Sequence, residues 1–433
     1  MTPLAVGLIG SGVLFLALFS GMPIGIVMGL VAFAGFAFIK DWGGALGLLQ
    51  VVPYETFASY DLSVIPLFIL MGEFAFRAGL SQDLYSAVQC WLGRLRGGLA
   101  MATIGGCAGF AAVCGSSVAT AATMGTVALP EMRKRGYDPA LATGCVAAGG
   151  TLGILIPPSI GFIVYGVITQ QSIGKLFLAG FLPGILMAGL FIATIYILCR
   201  MNPLAGPPGD VRSFKEKLYA LRNTWMVVVL FVFVIGGIYV GVFTPTEAAG
   251  VGAFASFVFG VARRRLDWEA VKASVVSTGK ATGMIFLILL GAILFSYFLS
   301  VSGLPSQVAN TIGGLSINRY IVLAIIVVIY LILGCVMDAL AMILITLPIF
   351  FPLIEQLGFD LIWFGIIVTL TAEAGLISPP VGMNVFVIQG ISNGVPMYTI
   401  FRGIVPFFAA LLIGLVLLTV FPQIALFLPN LMS

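Results

Sequence analysis

Two proline pairs, Pro157-Pro158 and Pro379-Pro380, interrupt apolar segments of this 433-residue chain and create candidate ion-binding chemistry. Consecutive prolines remove two amide donors and clash with the preceding turn, so each helix has to unwind and leave carbonyl oxygens without partners. Freed carbonyls bind cations, and half-helix N-termini face anionic groups of a substrate. A simple proline kink is the alternative, but two matched pairs favour a site.

A segment of small and hydroxyl-bearing residues, with Ser116 and Ser117 after Gly115, lies upstream of the first proline pair. Hydroxyl and carbonyl oxygens are hard ligands, which suit an alkali cation. Small residues are equally typical of packed helix interfaces in membranes, so the segment alone leaves both interpretations open. Its position before a predicted break favours the ion site.

Acidic residues are few within the apolar segments, which makes each of them a candidate for function. Asp338 follows Gly334 near a predicted turn, where a cation ligand is expected, and a hydrogen-bonded structural carboxylate is the alternative. Glu373 lies five residues before Ser378, and three roles are open to it: cation binding, proton transfer and capping of the freed backbone. Both acidic candidates lie upstream of the second proline pair in the sequence.

The composition of the chain indicates that membrane helices hold these candidate residues. The chain is 61% hydrophobic and 8% charged, whereas soluble domains carry about 25% charged residues. We predict an all-α polytopic membrane protein with about ten spans and two re-entrant hairpins, because apolar runs of roughly 20 residues cross the hydrocarbon layer. The predicted spans are 4–20, 22–40, 63–79, 139–168, 174–199, 225–241, 246–262, 281–300, 361–390 and 400–428, and the predicted hairpins are 99–131 and 320–352.

The distribution of Lys and Arg sets the predicted orientation. With an external N-terminus and with each hairpin entering and leaving on one side, all 20 basic residues except Lys40, Lys175 and Arg319 lie inside. Turning either hairpin into a full span would spoil this distribution. Amphipathic segments at 44–58 and 267–280 are predicted to lie as arms at the membrane interface.

The chain contains an internal repeat with a shift of 222 residues. The matched residues are of types that set backbone geometry, so we interpret the repeat as a duplication. In the predicted threading the two copies run in opposite directions, which is typical of secondary transporters with a binding site at the repeat interface. The matched pairs, besides the prolines of the two breaks, are Pro130 with Pro352, Gly136 with Gly358, Asp138 with Asp360, Val146 with Val368 and Gly153 with Gly375.

We divide the chain into scaffold helices with an arm at 1–62, a first repeat at 63–199, a linker with scaffold helices and a second arm at 200–280, and a second repeat at 281–433. The absence of histidine and of any CxxC pair argues against zinc, haem and iron–sulfur sites and against an enzyme. No known type of channel filter motif occurs. The basic segment at 200–222 is expected to contact anionic lipid, and no nucleic acid partner is expected.

Besides the hairpins and the proline pairs, three further segments are Gly21-Met22-Pro23-Ile24-Gly25, Thr244-Pro245-Thr246-Glu247-Ala248-Ala249 and Gly403-Ile404-Val405-Pro406-Phe407. As a set, these segments resemble the large membrane subunit of the tripartite ATP-independent periplasmic (TRAP) transporters, the DctM-like family. The resemblance implies a sodium-driven, elevator-type importer of small organic acids in the bacterial inner membrane. It also implies a periplasmic substrate-binding protein (DctP-like) and a small four-helix membrane subunit (DctQ-like) as partners. A stand-alone organic-anion transporter without a binding protein is the alternative.

The resemblance also assigns candidate site residues to the hairpins and the breaks. Sodium is the expected coupling ion, and the substrate is expected beside it. The expected ion ligands are Gly115, Ser116, Ser117, Gly153, Pro157, Gly334, Asp338, Gly375, Ser378 and Pro379. The expected substrate contacts are Thr120, Thr151, Pro158, Pro380 and Asn384.

Overall fold

Helices make up all of the regular secondary structure in the computed structural model, which describes residues 1–18, 20–209, 212–314 and 317–432. Residue 19 of the first predicted span and residues 210–211 of the predicted linker lie outside the described residues. The all-α class predicted from the sequence is confirmed.

The described helices fall into two series, one on each side of the linker. The first series is α1 (Pro3–Leu18), α2 (Ile24–Ile39), α3 (Trp42–Ala58), α4 (Val64–Arg77), α5 (Leu80–Leu92), α6 (Gly98–Cys114), α7 (Ser117–Lys134), α8 (Pro139–Gly150), α9 (Leu152–Leu155), α10 (Ile160–Thr169) and α11 (Ile173–Met201). The second series is α12 (Phe214–Tyr239), α13 (Pro245–Ala262), α14 (Trp268–Ser302), α15 (Leu304–Gly314), α16 (Arg319–Gly334), α17 (Ala339–Gln356), α18 (Leu361–Leu376), α19 (Met383–Ile391), α20 (Met397–Val420) and α21 (Gln423–Leu431).

Six helical segments of the described chain are long and apolar enough to cross a membrane, among them the broken segment Pro139–Thr169 and the whole of α14. The helices α3 and α4 meet at a bend of 57°. Shorter apolar helices are α1, α2, α6, α16 and α18. The count of ten spans stays a prediction, because length and composition alone do not place a membrane around these shorter helices.

Helix pairs joined by a short turn occur at both segments predicted as hairpins, and helix interruptions occur at both proline pairs, while the re-entrant path of the pairs through a membrane stays a prediction. The first hairpin consists of α6 and α7, and the second consists of α16 and α17. The first broken helix is α8 to α10, and the second is α18 with α19. Glycine and proline set these breaks locally, which is why the sequence alone could place them.

Two predicted boundaries are wrong. The arm at 267–280 and the span at 281–300 form one continuous helix, α14, because no proline interrupts them. The helix α12 begins at Phe214, inside the predicted linker, where Ser213 and Glu216 form a capping box. The described helices α5 and α15 also occupy segments for which no element was predicted.

The two halves repeat their backbone geometry at corresponding turns. Gly136 follows α7 and Gly358 follows α17, each with φ +71°. Asp138 caps α8 and Asp360 caps α18 through their side chains. The helices α5 and α15 each follow a glycine of positive φ as well. This agreement supports the duplication and adds α5 and α15 to it.

Helices of the first half pack against helices of the second half. The helix α2 packs on α14 and α4 packs on α13, while α7 packs on α19 and α10 packs on α17. The α2–α14 crossing is close, because a Cβ on Gly25 would clash with the Leu287 carbonyl group and a Cβ on Gly291 would clash with Gly25. Small residues permit this approach between membrane helices. Since each pair joins one helix from each half, the halves form one interlocked core.

Candidate functional site

The first hairpin turns directly against the first proline pair. Gly115, with φ +66°, reverses the chain after α6. Ser116 caps α7, and its Oγ accepts a hydrogen bond from the Ala119 amide at 3.4 Å. The Ile160 amide donates to the Gly115 carbonyl oxygen at 3.4 Å. No side chain fits at the turn, since a Cβ on Gly115 would lie 2.8 Å from the Pro158 carbonyl oxygen.

The first break packs around the same turn through Gly153. A Cβ on Gly153 would lie 2.5 Å from the Ser116 carbonyl oxygen and 2.7 Å from Thr120 Oγ1. The Thr151 Oγ1 donates to a carbonyl oxygen in the last turn of α8 at 2.6 Å. The pair Pro157-Pro158, joined by a cis peptide bond, is buried. The structure therefore brings the predicted residues of the first hairpin and the first break into direct contact.

The second hairpin repeats this arrangement with a carboxylate at the cap. Asp338 caps α17, and its Oδ2 accepts a hydrogen bond from the Leu340 amide at 3.1 Å. Gly334 lies against Gly375, since a Cβ on Gly375 would lie 2.5 Å from the Gly334 Cα atom. The amide of Val381, after the proline pair, donates to a carbonyl oxygen of the turn at 3.3 Å.

The second break differs from the first in its exposure. Pro379-Pro380, also joined by a cis bond, is exposed. The Ser378 Oγ donates to a carbonyl oxygen of α18 at 2.6 Å. Asn384, which is buried in α19, donates from Nδ2 to the Ala147 carbonyl oxygen of α8 at 3.3 Å. This last bond ties the second break to the first half of the chain.

A cavity of about 660 Å³ lies between the two hairpin turns and the helices α2, α4 and α14. On the hairpin side, serine, threonine and aspartate residues lie in its wall among apolar residues, whereas its wall on α2, α4 and α14 is apolar apart from Glu73 on α4. The Glu73 carboxylate accepts a hydrogen bond from Ser277 Oγ at 2.6 Å and pairs with Arg77 Nε at 3.5 Å. The predicted site residues that line this cavity are Gly115, Ser116, Ser117 and Asp338.

Helix ends of both polarities meet at this cavity. A helix N-terminus carries the equivalent of roughly half a positive charge and a C-terminus the equivalent of roughly half a negative charge. The ends of α6 and α18 contribute the second kind through Cys114 and Leu376. The cavity therefore offers a positive field to an anion and free carbonyl oxygens to a cation. Residues of the first turns of α7, α10, α17 and α19 that line it are Ser117, Val118, Ala119, Ile160, Leu340 and Met383.

The other predicted residues lie away from the lining of this cavity. Four expected substrate contacts are buried in the protein, namely Thr120, Thr151, Pro158 and Asn384. Three of the expected ion ligands, Gly153, Gly334 and Gly375, form packed contacts between hairpins and breaks, and the expected ligand Pro157 is buried. A second cavity, of about 480 Å³, is lined by Ser378, Pro379 and Arg402 among other residues, and Pro380 is exposed.

The predicted site residues did not include Thr123 and Thr126, the other two hydroxyl-bearing residues of the cavity wall. Thr123 and Thr126 line the cavity from α7, together with Ala119 and Ala122. Their spacing of three and four residues is typical of one helix face, and it extends the hydroxyl-rich tip into the helix. The signal was therefore present in the sequence as a periodic pattern of small and hydroxyl-bearing residues.

The family model described as "Tripartite ATP-independent periplasmic transporter, DctM component" matches residues 11–424 of the chain. The C4-dicarboxylate TRAP transporter large permease protein DctM of Pseudomonas aeruginosa is 39% identical over 383 residues, which cover 88% of this chain and 89% of that protein. The isethionate TRAP transporter permease protein DctMQ of Oleidesulfovibrio alaskensis is 36% identical over 421 residues, which cover 97% of this chain and 65% of that protein.

Among solved structures, the YdaH transporter of Alcanivorax borkumensis has a similar fold. The TM-score is 0.65 at 15% sequence identity, and the alignment covers 88% of this chain and 89% of that one. At this level of identity the likeness concerns the fold alone.

Proposed function

The chain belongs to the DctM component family of the tripartite ATP-independent periplasmic transporters, and from this premise we propose that it imports a small organic acid anion by sodium-coupled secondary transport. It is a multi-pass protein of the bacterial inner membrane. The substrate class rests on the named relatives, which act on C4-dicarboxylates and isethionate.

The observation that carries the proposal is the convergence of four helix N-termini on one cavity between the hairpins. Their combined positive field attracts an organic anion, although no Lys or Arg is among the described residues that line the cavity. Among the described residues of the cavity wall, Glu73 and Asp338 are the acidic ones. The substrate therefore binds next to a coupling cation that compensates for Asp338.

Sodium coupling is supported by the chemistry of the two hairpin turns. Hydroxyl, carbonyl and carboxylate oxygens are hard ligands for a small cation. The first turn offers Ser116 and Ser117, and the second offers Asp338 beside the unwound end of α18. Each turn is backed by a glycine contact that holds its carbonyl groups in place, at Gly153 and at Gly375.

The elevator movement is supported by the character of the cavity walls. On the side of α2, α4 and α14, the wall is apolar apart from Glu73. We propose that these helices form the scaffold and that the hairpins with their breaks slide against it. The apolar residues of this wall are Ile24, Ile69, Phe76, Ala281, Met284, Ile285 and Ile288.

The partners in this proposal are a periplasmic substrate-binding protein and a small membrane subunit. The proposal of two partners rests on the description of the matched family, which names a tripartite transporter. The exposed apolar residues of α12 offer a surface for the small subunit in this proposal, and they include Leu218, Tyr219, Trp225, Val228, Val232 and Phe233.

Uptake in proteoliposomes tests the proposal. The chain is reconstituted with its small subunit, the binding protein is added outside, and uptake of labelled dicarboxylate or sulfonate follows an imposed sodium gradient. We expect uptake that requires both the binding protein and the gradient. Uptake that ignores the sodium gradient contradicts the coupling, and gradient-driven uptake by the chain alone favours the stand-alone transporter instead.

A further inference from the structure

A third cavity, of about 370 Å³, lies where the turn between α7 and α8 of the first half meets the turn between α19 and α20 of the second half. We call it the inner cavity, because both turns face the cytoplasm in the orientation predicted from Lys and Arg. Arg133 is the one basic residue among the described residues that line it, and Thr143, Ser392 and Thr399 supply hydroxyl groups. Its volume falls within the range of small-molecule sites, roughly 300–1,000 Å³.

One face of α7 runs from the cavity between the hairpins to the inner cavity. Thr126 lines the cavity between the hairpins, whereas Pro130 and Arg133 line the inner cavity. Residues at these spacings of four and three share one helix face. Thr126 and Pro130 are both exposed. At a rise of about 1.5 Å per residue, Arg133 lies about 10 Å along the helix from Thr126.

The helix α19, which packs beside α7, has a matching face. Met383 lines the cavity between the hairpins, and Ile391 lines the inner cavity. Between them, Phe386 is 61% exposed, and a Cβ on Gly390 would meet no atom within 4 Å. Met383, Phe386 and Gly390 share one helix face by their spacing. The two helices therefore border an open groove that joins the two cavities.

The charge at the inner end of this groove suits an anion. Arg133 forms no salt bridge with a carboxylate of the described residues, whereas its neighbour Lys134, outside the cavity lining, pairs with Glu131 at 2.9 Å. The nearby carboxylate of Asp138 accepts hydrogen bonds from two amides of its own helix. The helix α20 begins at the cavity without a side-chain cap, so its first amides add to the positive field. Arg133 is therefore available to an incoming acid group.

The corresponding turn of the second half carries the opposite charge. Under the 222-residue shift, Glu355 takes the place of Arg133. Glu355 is likewise exposed near the end of its helix, α17, which lies on the outer side in the predicted orientation. An anion is therefore attracted at the inner turn and repelled at the outer one.

We propose that Arg133 and the inner cavity form a second binding site for the transported organic acid anion, which it occupies between the cavity of the hairpins and the cytoplasm. This inference rests on the proposed import of an organic acid and adds a release site to it. The guanidinium group pairs with the carboxylate or sulfonate group of the anion. The described residues that line the inner cavity include no carboxylate, so the anion binds there without a coupling cation.

Thermal stabilisation of the purified full chain by succinate or isethionate, in sodium-free nanodiscs of neutral phosphatidylcholine, tests the site. We expect one of these anions to stabilise the wild type, and Arg133→Gln to need about tenfold more of it, because a charged hydrogen-bond partner is lost. Arg133→Lys keeps the charge and should retain most of the affinity. Lys134→Gln removes the same charge one residue away, outside the cavity lining, and should respond as the wild type does.

A transport measurement separates release of the anion from its capture. In proteoliposomes with the partner proteins, Arg133→Gln should keep the wild-type KM for external substrate and lower the maximal rate of uptake, because the change lies beyond the cavity between the hairpins. If Arg133→Gln does not assemble in the membrane, Asn393→Asp decides. It adds a carboxylate to the exposed wall at a position with φ +53°, which aspartate tolerates, and should weaken anion binding as well.

Three results would overturn the inner site. The first is no sodium-free stabilisation of the wild type by either anion, and the second is equal stabilisation of the wild type and Arg133→Gln. The third is stabilisation by phosphatidylglycerol that requires Arg133 and that succinate does not displace, which would make the cavity a site for a lipid headgroup. Wild-type uptake that ignores sodium refutes the coupling instead, and it leaves anion binding at Arg133 standing.

Discussion

The two hairpin-and-break units have the same backbone and different charge. Ser116 and Asp338 occupy the same position under the 222-residue shift, and each caps the second helix of its hairpin. Thr151 and Glu373 also correspond, but Thr151 bonds to its own helix while Glu373 has no described partner. The first unit is therefore neutral and the second is acidic. After the duplication, both units kept the same backbone geometry at the turn. The side chains at these two positions differ, and in the proposed mechanism they set the affinity for the coupling ion.

The largest expected effect separates the two units by charge. Asp338→Asn should lower sodium-driven uptake about 10- to 100-fold, because interactions with a charged ligand contribute about 1.5–3 kcal/mol. Uptake at varied Na⁺ concentration in proteoliposomes measures this effect, and membrane insertion should be unchanged. Asp360→Asn, at a cap outside the cavity lining, is the matched control, and equal loss in both variants would contradict the special role of Asp338.

The next largest effect is a loss of stability at the glycine contact between hairpin and break, which both units contain. Gly153→Ala and Gly375→Ala should each destabilise the protein by about 1–3 kcal/mol, because the added methyl group overpacks the contact between hairpin and break. Thermal unfolding in detergent measures the loss. Gly279→Ala, in an open part of α14, is the control and should be neutral or stabilising. If the protein tolerates Gly153→Ala and not Gly375→Ala, the contacts between hairpin and break in the two units are not equivalent.

A smaller loss of stability, equal in the two units, is expected when the cap of either broken helix is removed. Asp138 Oδ1 accepts hydrogen bonds from the Ala140 and Leu141 amides at 2.8 and 3.1 Å, and Asp360 Oδ1 accepts one from the Trp363 amide at 2.9 Å. Replacing either aspartate by alanine should cost about 1 kcal/mol of stability. The same unfolding assay compares the two variants. If their losses of stability differ by more than about 1 kcal/mol, the two caps are not equivalent.

The smallest effect is expected at the neutral counterpart of Asp338. Ser116→Ala removes a cap whose hydrogen bond is long, at 3.4 Å, and keeps the carbonyl oxygen that faces Gly153. We expect about a twofold loss of sodium-driven uptake, because removing a neutral oxygen ligand of the proposed ion site costs about 0.5 kcal/mol. Sodium titrations of uptake in this variant and in Asp338→Asn sharpen the comparison directly, and a tenfold loss for Ser116→Ala would refute the neutral role of the first turn.

The sequence was sufficient for the features that glycine and proline determine locally. It placed both hairpins and both breaks, because Gly115, Gly334 and the proline pairs act on their own backbone. It also placed Asp338 at a turn, where the structure finds a cap. These features require no knowledge of distant contacts.

The sequence was insufficient wherever tertiary packing decides. The continuity of α14 was missed, because amphipathic and apolar segments look separate until both pack on α2. The burial of Glu373 and its place beside Ser117 depend on residues far apart in the chain. The bond from Asn384 to α8 likewise joins the two halves and leaves no local signal.

The packing of α2 on α14 and of α4 on α13, which joins the two halves, has a consequence for the assembly of the protein during synthesis. At about 5–20 residues per second, the ribosome needs tens of seconds after α2 has emerged before it completes α14. During that interval Gly25 and its neighbours on α2 lack the surface that they cover in the finished protein. The N-terminal half must therefore wait in the lipid bilayer as an incomplete intermediate, and translation of the second half completes its assembly.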